Sequence, residues 1–226
     1  MELRQPLVES LTDSTEREAA MPHLTLYDFP PVPSPQKVRV AMAEKGISCE
    51  RVIIDLKAGE QRSSQYLQIN PHGYVPTLVV DGTPIYESTA IIEYLEDIHP
   101  HPALLPRDPL NRAQARMIEE SIDGNFATAL KTYGRNLKAQ PPAKPDLKVM
   151  EECKRSVAWH NDWLNAALEG RRFLVGEEFS VADIAAICNI EFQIKRLGLE
   201  LDQKHHNLLA WYDRTMERPS MCVLRK

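Results

Sequence analysis

The spacing of apolar and polar positions divides the chain into two regions with different secondary structure. Between residues 24 and 98, short β-type runs alternate with segments of helical periodicity, in the order β-α-β-α-β-β-α. Two of the runs are separated by Asp81-Gly82, which is a strong signal for a β-hairpin. This order predicts a small sheet covered by helices, with its first strand at residues 24–29 and its second at 51–55.

After a proline-rich stretch the pattern is helical throughout. Apolar residues recur at helical spacing over residues 112–137, 149–164 and 208–216, with no convincing strand among them. Residues 181–197 are apolar on nearly all sides in their first half, which indicates a buried central helix. The run Ser180-Val181-Ala182-Asp183 at its start is typical of a capping box.

These patterns define the domain organisation that we expect. A flexible extension at residues 1–21 precedes an α/β domain at 22–100, and a linker at 101–111 leads to an all-helical domain at 112–226. The extension carries acidic residues and lacks the apolar segment of a signal peptide. We therefore expect it to be a mobile tail rather than a targeting sequence.

Composition narrows the classes of protein that this chain could represent. The formal net charge is -5 and the Lys and Arg residues are scattered, which argues against a nucleic-acid-binding surface. No apolar run approaches the roughly 20 residues that a bilayer-spanning helix needs. The four cysteines lie far apart, and no Cys/His grouping has the spacing of a zinc site. We expect a cytoplasmic protein without a metal, a membrane or a nucleic-acid partner.

The first chemical candidate is the segment 70–76, which ends in Val75-Pro76 directly before a predicted strand. Proline in a sheet is confined to an edge or to the first residue of a strand, and a cis bond is the usual reason to keep it at such a junction. A cis bond before Pro76 would leave the N–H and C=O of Val75 free to pair with an extended ligand. An ordinary trans turn explains the segment equally well when it is considered alone.

Two predicted helix starts provide further candidates. The free N–H groups at the start of the Ser88 helix form an anion site and Glu87 suits an ammonium group, so the pair could hold the α-amino-acid end of a ligand. In purely structural terms, Ser88 is a helix cap and Glu87 is a favourable acid in the first turn. Ser34 followed by Pro35 has the pattern of an N-cap and a first helical residue, and its hydroxyl can also donate to a thiolate.

Together these motifs resemble the cytosolic glutathione transferase family from about residue 22 to the C-terminus. The resemblance is carried by the Ser34 helix start, by the segments 70–76 and 87–95, and by Phe173-Leu174-Val175-Gly176 followed by the capping box. It implies a thioredoxin-like N-terminal domain that binds glutathione and an all-α C-terminal domain that supplies most of the second-substrate pocket. It also implies a homodimer and a small hydrophobic electrophile as second substrate, with conjugation, peroxide reduction or dehalogenation as the reaction.

The resemblance also assigns the residues of the site. Val75 should pair with the cysteinyl part of glutathione through its backbone, while Glu87 and Ser88 should hold the γ-glutamyl end. Gln61 and Arg62 lie where many members contact the glycyl carboxylate, although an exposed Arg is more often plain surface. The second-substrate pocket is expected along the first helix of the helical domain. Its candidates, for which ordinary core and surface roles are the stronger explanation, are Arg116, Asn125 and Tyr133.

The catalytic residue is where the sequence departs from the commonest family pattern. Many serine-type members have their serine where this chain has Val32, and Ser34 lies at an offset that other groups fill with cysteine or asparagine. Ser34 is the first candidate for activating the thiol. Tyr27, near the end of the first strand as in tyrosine-type members, and a site made only of backbone groups remain as alternatives.

Two other functions are compatible with this architecture. A thiol-disulfide oxidoreductase would need a cysteine at the first helix start, where Val32 to Ser34 provide none. A non-catalytic module with the glutathione transferase fold that binds or interacts with other molecules is the stronger rival, because a fold does not guarantee an activity.

Overall fold

The structure, a computed structural model, describes residues 22–138 and 144–225. The predicted extension at residues 1–21 lies outside them. The first part of the chain forms a four-stranded sheet in the order β2-β1-β3-β4, in which β1 and β2 are parallel and the other neighbours are antiparallel. The strands are β1 (Leu24–Asp28), β2 (Glu50–Ile53), β3 (Thr77–Val80) and β4 (Thr83–Tyr86).

The hairpin between β3 and β4 forms as the sequence predicts. Asp81 and Gly82 both have positive φ angles, of 46° and 87°, which is the conformation that a two-residue hairpin turn of type I′ requires. The second strand begins and ends earlier than the predicted range 51–55, because Ile54 and Asp55 already belong to the loop that follows it.

Three helices cover the sheet: α1 (Pro33–Lys45), α2 (Ser64–Ile69) and α3 (Ser88–Ile98). One face of the sheet, represented by Leu26, is buried in a cluster with Val38 of α1 and Ile91 of α3. The other face carries Tyr27, which packs in a smaller cluster with Tyr66 of α2. This helix-covered mixed sheet, followed by an all-helical part, confirms the predicted fold class.

The rest of the described chain is helical. Its helices are α4 (Pro109–Ser121), α5 (Ala127–Leu137), α6 (Leu147–Ala167), α7 (Val181–Leu197) and α8 (His206–Met216), with a closing 3-10 turn at Pro219–Leu224. None of the helices within the two described ranges is both long and apolar enough to cross a bilayer.

The single helix predicted over residues 112–137 differs from the structure in two ways. It begins earlier, at Pro109, because the Asp108 side chain caps it by accepting from the Asn111 N–H at 2.8 Å. It is also interrupted by a π-helical turn at Ile122–Phe126, which separates α4 from α5. Gly124 and Asn125, both poor helix formers, lie within that turn.

The predicted central helix α7 is buried along most of its length and packs against α1, α4 and α5. Its N-terminus depends on Asp183, whose side chain is fully buried and accepts from the N–H groups of Leu174 and Ser180 at 3.0 and 3.1 Å. The same carboxylate accepts from the Trp211 ring N–H at 2.9 Å. Burial raises the pKa of Asp183 to about 6, against the effect of these hydrogen bonds.

We expect Asp183→Ala to lower the free energy of unfolding by about 3 kcal/mol or more. The substitution would leave the buried N–H groups of Leu174, Ser180 and Trp211 without an acceptor, and each such group costs about 1–3 kcal/mol. Urea denaturation followed by circular dichroism measures the change. Asp213→Ala, which removes an exposed carboxylate from α8, is the control. Equal stability of the two variants would contradict this role of Asp183.

Candidate functional site

Strand register brings the candidate segments to one edge of the sheet. Tyr27 at the end of β1 pairs with Thr77 at the start of β3, and Thr77 pairs with Tyr86 at the end of β4. The parallel strand β2 ends at Ile53, which pairs with Asp28. The connections that leave or enter the sheet at these paired residues therefore lie side by side. Neighbouring connections are about 4.8 Å apart, which is the spacing between adjacent strands.

Four connections meet at this edge, and they contain all the residues expected to bind glutathione. The loop after β1 leads to Ser34, and the connection after β2 contains Gln61 and Arg62. Val75 lies two residues before β3, and Ser88 lies two residues after β4. The distance across β1, β3 and β4 is about 10 Å.

The segment before β3 ends in a cis Val75-Pro76 bond, the isomer on which the ligand-binding interpretation of this segment depends. Val75 is buried to 9% exposure, and the strand starts only at Thr77. Within the described ranges, neither the N–H nor the C=O of Val75 has a hydrogen-bond partner. This residue therefore offers one free main-chain donor and one free acceptor at the sheet edge.

A buried hydrogen-bond network between α2 and the start of β3 fixes the segment 70–76. The side-chain amide of Asn70 donates to the Tyr74 carbonyl and to the Thr77 hydroxyl, both at 3.0 Å. The Tyr66 hydroxyl reaches the same carbonyl at 2.6 Å and the same hydroxyl at 3.0 Å. Burial raises the pKa of Tyr66, so it remains a neutral donor. The network holds the main chain on both sides of Val75.

The junction between β4 and α3 carries an unusual backbone conformation. Glu87 has a φ of 72°, which is rare for a residue other than glycine, and it occupies the N-cap position of α3. Its side chain makes no capping hydrogen bond, and it is exposed. Ser88 is the first residue inside α3 and is buried. The prediction that Ser88 could be the cap is therefore wrong. Among the described residues, the Glu87 carboxylate has no hydrogen-bond partner at the helix start.

The first helix begins one residue earlier than the Ser34-Pro35 pattern predicts. Val32 is the N-cap residue, with extended backbone angles, and Pro33 is the first helical residue. Proline is favoured there because its fixed φ suits the helix and its missing N–H would have no partner. Ser34 is consequently the second residue of α1 and half-buried, and its side chain has no hydrogen-bond partner within the described ranges. Its hydroxyl is thus not engaged in capping.

Tyr27, the alternative to Ser34, is half-buried on the face of the sheet that α2 covers. Its ring centre lies 5.7 Å from that of Tyr66, in the small cluster beneath α2. Because side chains alternate along a strand, Tyr27 points away from the face on which α1 lies. The geometry therefore favours Ser34 over Tyr27 as a group close to the first turn of α1.

Gln61 and Arg62 form a short 3-10 turn beside the segment 70–76. The Arg62 guanidinium donates to the His72 carbonyl at 3.4 Å and lies 5.8 Å from the centre of the Tyr74 ring. Gly73 allows this close approach, because a Cβ atom there would lie 2.6 Å from the Gln61 carbonyl oxygen. Arg62 has no carboxylate within 4.0 Å in the described part of the chain.

The three residues expected to line a second-substrate pocket do not come together. Arg116 is held by Glu93 of α3 at 2.7 Å, whereas Tyr133 is buried in the core. They lie 17 positions apart, which is about 25 Å along a helix. Asn125 is exposed on the π-helical turn between them. A pocket lined by all three is therefore not formed.

A buried ion network that the sequence did not predict lies next to the first turn of α1. The Lys37 ammonium is fully buried and contacts Glu119 of α4 at 2.7 Å, as well as Asp123 of the π-helical turn. The Thr89 hydroxyl, directly after Ser88, donates to Glu119 at 3.0 Å. Burial alone would lower the pKa of Lys37, but the two carboxylates outweigh it and raise the pKa. The pattern of apolar and polar residues along α1 does not indicate that Lys37 is buried or that it contacts these carboxylates.

Across residues 22–138 and 144–225, no group of three or more His, Cys, Asp or Glu side chains could hold a metal ion. The donors that meet at the sheet edge are main-chain groups, hydroxyls, an amide and a guanidinium. Together with the Glu87 carboxylate, such a set can form hydrogen bonds and ion pairs with a charged, extended organic molecule.

Comparison with known families agrees with this geometry. Residues 22–97 match the family described as "Glutathione S-transferase, N-terminal domain", and residues 127–219 match "Glutathione S-transferase, C-terminal domain". Glutathione S-transferase 2 of Saccharomyces cerevisiae is 31% identical over 207 residues, covering 88% of this chain and 88% of the yeast protein.

Two further relatives represent different reactions within the same architecture. Maleylacetoacetate isomerase of Rattus norvegicus is 35% identical over 158 residues, covering 66% of this chain and 68% of the rat protein. The crystal structure of the beta-etherase LigF from Sphingobium sp. strain SYK-6 superposes with a TM-score of 0.80 at 28% identity, over 89% of this chain and 98% of that chain.

The close contact at Gly73 generates a prediction about stability. We expect Gly73→Ala to destabilise the protein by at least 1 kcal/mol more than Gly170→Ala. Both glycines have a positive φ, of 62° and 66°, so both substitutions introduce the same backbone strain of about 1–2 kcal/mol. A Cβ atom at Gly170 meets no atom within 4 Å, whereas at Gly73 it would overlap the Gln61 carbonyl. Denaturant unfolding measures the difference, and equal losses would show that the segment 70–76 can move away from Gln61.

Proposed function

Because the chain belongs to the glutathione S-transferase family, we propose that it is a glutathione-dependent enzyme that lowers the pKa of the glutathione thiol and promotes its attack on a small hydrophobic electrophile. The observation that carries the proposal is the free main chain of Val75, placed at one sheet edge between the first turns of α1 and α3. We further propose that the protein acts in the cytoplasm as a homodimer.

The dimensions of the edge suit glutathione. A fully extended tripeptide is about 10 Å long, which matches the width of β1, β3 and β4 together. The central cysteinyl unit would pair with the Val75 N–H and C=O, as an added strand does. Its two ends would then lie near the adjacent connections on either side.

The charged groups near the edge are complementary to the ends of glutathione. The γ-glutamyl end carries an ammonium, for which the free Glu87 carboxylate is apt, and a carboxylate, for which the α3 N-terminus at Ser88 is apt. The glycyl carboxylate would meet Gln61 and Arg62, and Arg62 has no acidic partner among the residues that the structure describes.

Lowering the pKa of the thiol requires only a small preferential stabilisation of the thiolate. A decrease of two pKa units corresponds to about 2.7 kcal/mol of preferential stabilisation of the thiolate. A hydroxyl that donates to a charged acceptor contributes about 1.5–3 kcal/mol, and the positive end of a helix adds about 0.3–1 kcal/mol. Ser34 could supply both contributions, because it lies in the first turn of α1 and its hydroxyl has no partner within the described ranges.

The class of reaction follows from the nucleophile. A thiolate held at the sheet edge would attack a carbon or a peroxide oxygen of a substrate bound against the helical part of the chain. The names of the relatives, an isomerase and a beta-etherase, are consistent with a thiolate that reacts with different carbon electrophiles. The rival function, a non-catalytic binding module, predicts glutathione binding without a shifted thiol pKa.

Ser34→Ala is the direct test of thiol activation. We expect the pKa of bound glutathione, measured by the ultraviolet absorbance of its thiolate, to rise by one to two units. Turnover of a standard aromatic electrophile at pH 6.5 should fall about 10- to 100-fold, because the charge-assisted hydrogen bond is lost. The affinity for glutathione should change less than about threefold, because the main-chain contacts persist.

Tyr27→Phe serves as the matched hydroxyl deletion. It should leave the thiol pKa unchanged, since that side chain lies on the opposite face of the sheet. A large effect of Tyr27→Phe together with none of Ser34→Ala would transfer the role to Tyr27. If the wild-type protein binds glutathione with an unshifted thiol pKa, the non-catalytic module is correct.

If Glu87 holds the γ-glutamyl ammonium, Glu87→Gln should weaken the binding of glutathione but not that of a ligand without the γ-glutamyl unit. Its affinity for glutathione, measured by calorimetry, should fall about 10-fold or more, because a contact between charged groups becomes neutral on one side. Its affinity for the dipeptide Cys-Gly, which lacks the γ-glutamyl unit, should not change. Asp97→Asn, an exposed acid on the same helix, is the control. Equal losses for the two ligands would remove Glu87 from the γ-glutamyl contact.

A further inference from the structure

The loop between β1 and α1, residues 29–32, leads directly to Ser34 and has little capacity to form hydrogen bonds of its own. The prolines in and around it have no N–H, so the segment contains few donors. Within the loop, the Val32 N–H donates to the Phe29 carbonyl at 3.2 Å. The position of the loop therefore depends on side chains that donate to its carbonyl groups.

Two side chains of α1 donate to one carbonyl of this loop. The Arg39 guanidinium donates to the Pro30 carbonyl through Nη2 at 2.8 Å, and the Gln36 amide donates to the same oxygen at 3.1 Å. Both residues are more than nine-tenths buried. A carbonyl oxygen has two lone pairs, so these two donors complete its hydrogen bonds.

Arg39 also contacts two other parts of the chain. Its Nη1 donates to the Val223 carbonyl of the C-terminal 3-10 turn at 3.2 Å, and its Nε lies 3.5 Å from the carboxylate of Asp28, the last residue of β1. One guanidinium thus connects the end of β1, the loop that follows it and the C-terminal turn. The rigid fork of an arginine can serve several separate acceptors, which the single ammonium of a lysine cannot do in the same geometry.

The C-terminal turn that supplies the Val223 carbonyl is itself attached to α1. The Arg218 guanidinium donates to both oxygens of Glu44, in the last turn of α1, at 2.8 Å each. The Ser220 hydroxyl donates to the same carboxylate. The turn is therefore held at both halves of α1, and Val223 offers Arg39 an acceptor that cannot move away from the helix.

Pairing with Asp28 alone does not account for Arg39. The buried Asp28 carboxylate already accepts from Arg51 of β2, whose Nε donates to it at 3.1 Å. The Arg51 side chain is 40% exposed, whereas that of Arg39 is only 6% exposed. Burying a guanidinium is costly unless it is paired and hydrogen-bonded, and the hydrogen bonds of Arg39 go to the loop and to the C-terminal turn.

The prolines transmit the position of the Pro30 carbonyl to Ser34. Three residues separate Pro30 from Ser34, and two of them, Pro31 and Pro33, have a φ fixed at about −65°. Proline also restricts the backbone of the residue before it, which includes Val32. Because so few backbone angles are free to compensate, a displacement of the Pro30 carbonyl would displace the first turn of α1.

We propose that Arg39 is a positioning residue for the reaction, which holds residues 29–32, and through them the Ser34 hydroxyl, at the point that the glutathione sulfur reaches. This inference rests on the proposed function, in which Ser34 donates to the thiolate. Arg39 acts through Ser34, since its own guanidinium contacts Asp28, Pro30 and Val223.

Arg39→Lys tests this role, because it keeps a positive charge beside Asp28 and removes the fork. We expect the pKa of the bound glutathione thiol to rise by about 0.5–1 unit, so turnover at pH 6.5 should fall about 3- to 10-fold. The loss should disappear at a pH high enough to ionise the thiol in both proteins. The KM for glutathione should change less than about twofold, because the Val75 main chain is untouched.

Two further variants separate positioning from a general effect on the fold. Arg51→Lys is the matched control, because it changes the other guanidinium at Asp28 and leaves the Pro30 carbonyl paired, so the thiol pKa should stay that of the wild type. Gln36→Met removes the second donor to Pro30 and should raise the thiol pKa, as Arg39→Lys does. An equal shift in Arg51→Lys, or a loss of turnover in Arg39→Lys that is the same at every pH, would overturn the proposal.

The amide NMR signal of Ser34 in the ligand-free protein reports the position of the first turn independently of any chemistry. It should shift in Arg39→Lys and in Gln36→Met but not in Arg51→Lys. An unchanged signal in Arg39→Lys would refute the positioning role, even where Ser34→Ala confirms thiol activation. An unshifted thiol pKa in the wild-type protein would instead refute the proposed function, and the Ser34 signal would still show whether Arg39 positions this turn.

Discussion

The pairing of Tyr27 with Thr77 and of Thr77 with Tyr86 is the constraint on which the site depends. A shift of either pair by one residue would turn every side chain of that strand to the opposite face. It would also move the Val75 main chain away from the helix starts on both sides. Because Leu26 and Leu78 are fully buried on one face, the register that forms the core also forms the sheet edge at which we propose that glutathione binds. Stability and function therefore share one set of hydrogen bonds.

The Lys37 network extends this constraint to the helical part of the chain. An ammonium that is fully buried must keep an acidic partner, because a buried charge left without any partner destabilises the fold by about 3–5 kcal/mol. Lys37 lies three residues after Ser34, and Glu119 also accepts from Thr89. The first turns of α1 and α3 are thus tied to the same carboxylate on α4. These two contacts fix the position of α1 relative to α3. A ligand that contacts both helix starts at the sheet edge depends on that relative position.

The parts of the fold that could be predicted from the sequence are those governed by local rules. The Asp81-Gly82 hairpin and the buried α7 follow from turn chemistry and periodicity, whereas the position of Pro76 before a strand left a cis bond and a trans turn equally open. The N-cap of α1 could not be predicted as well, because Ser34 is the better cap by side chain whereas Pro33 is the better first residue by backbone. The ion network and the failure of Arg116 and Tyr133 to meet depend on packing between distant helices, which local patterns do not record.

The position of Ser34 inside the helix, rather than at its cap, bears on how a thiolate would be stabilised. An N-cap hydroxyl accepts from the N–H groups of the first turn, and that geometry turns its lone pairs inward. Val32 has no side-chain oxygen that could cap the helix. Pro33 and Pro35 have no N–H and Gln36 donates to the Val32 carbonyl at 3.2 Å, so among the described residues the Ser34 N–H is the one donor of the turn that lacks a partner. The first turn of α1 therefore presents a hydroxyl donor and one uncapped backbone donor, both from Ser34, as separate groups. An anion near this turn can receive both, which a serine at the cap position could not offer without giving up its own capping bond.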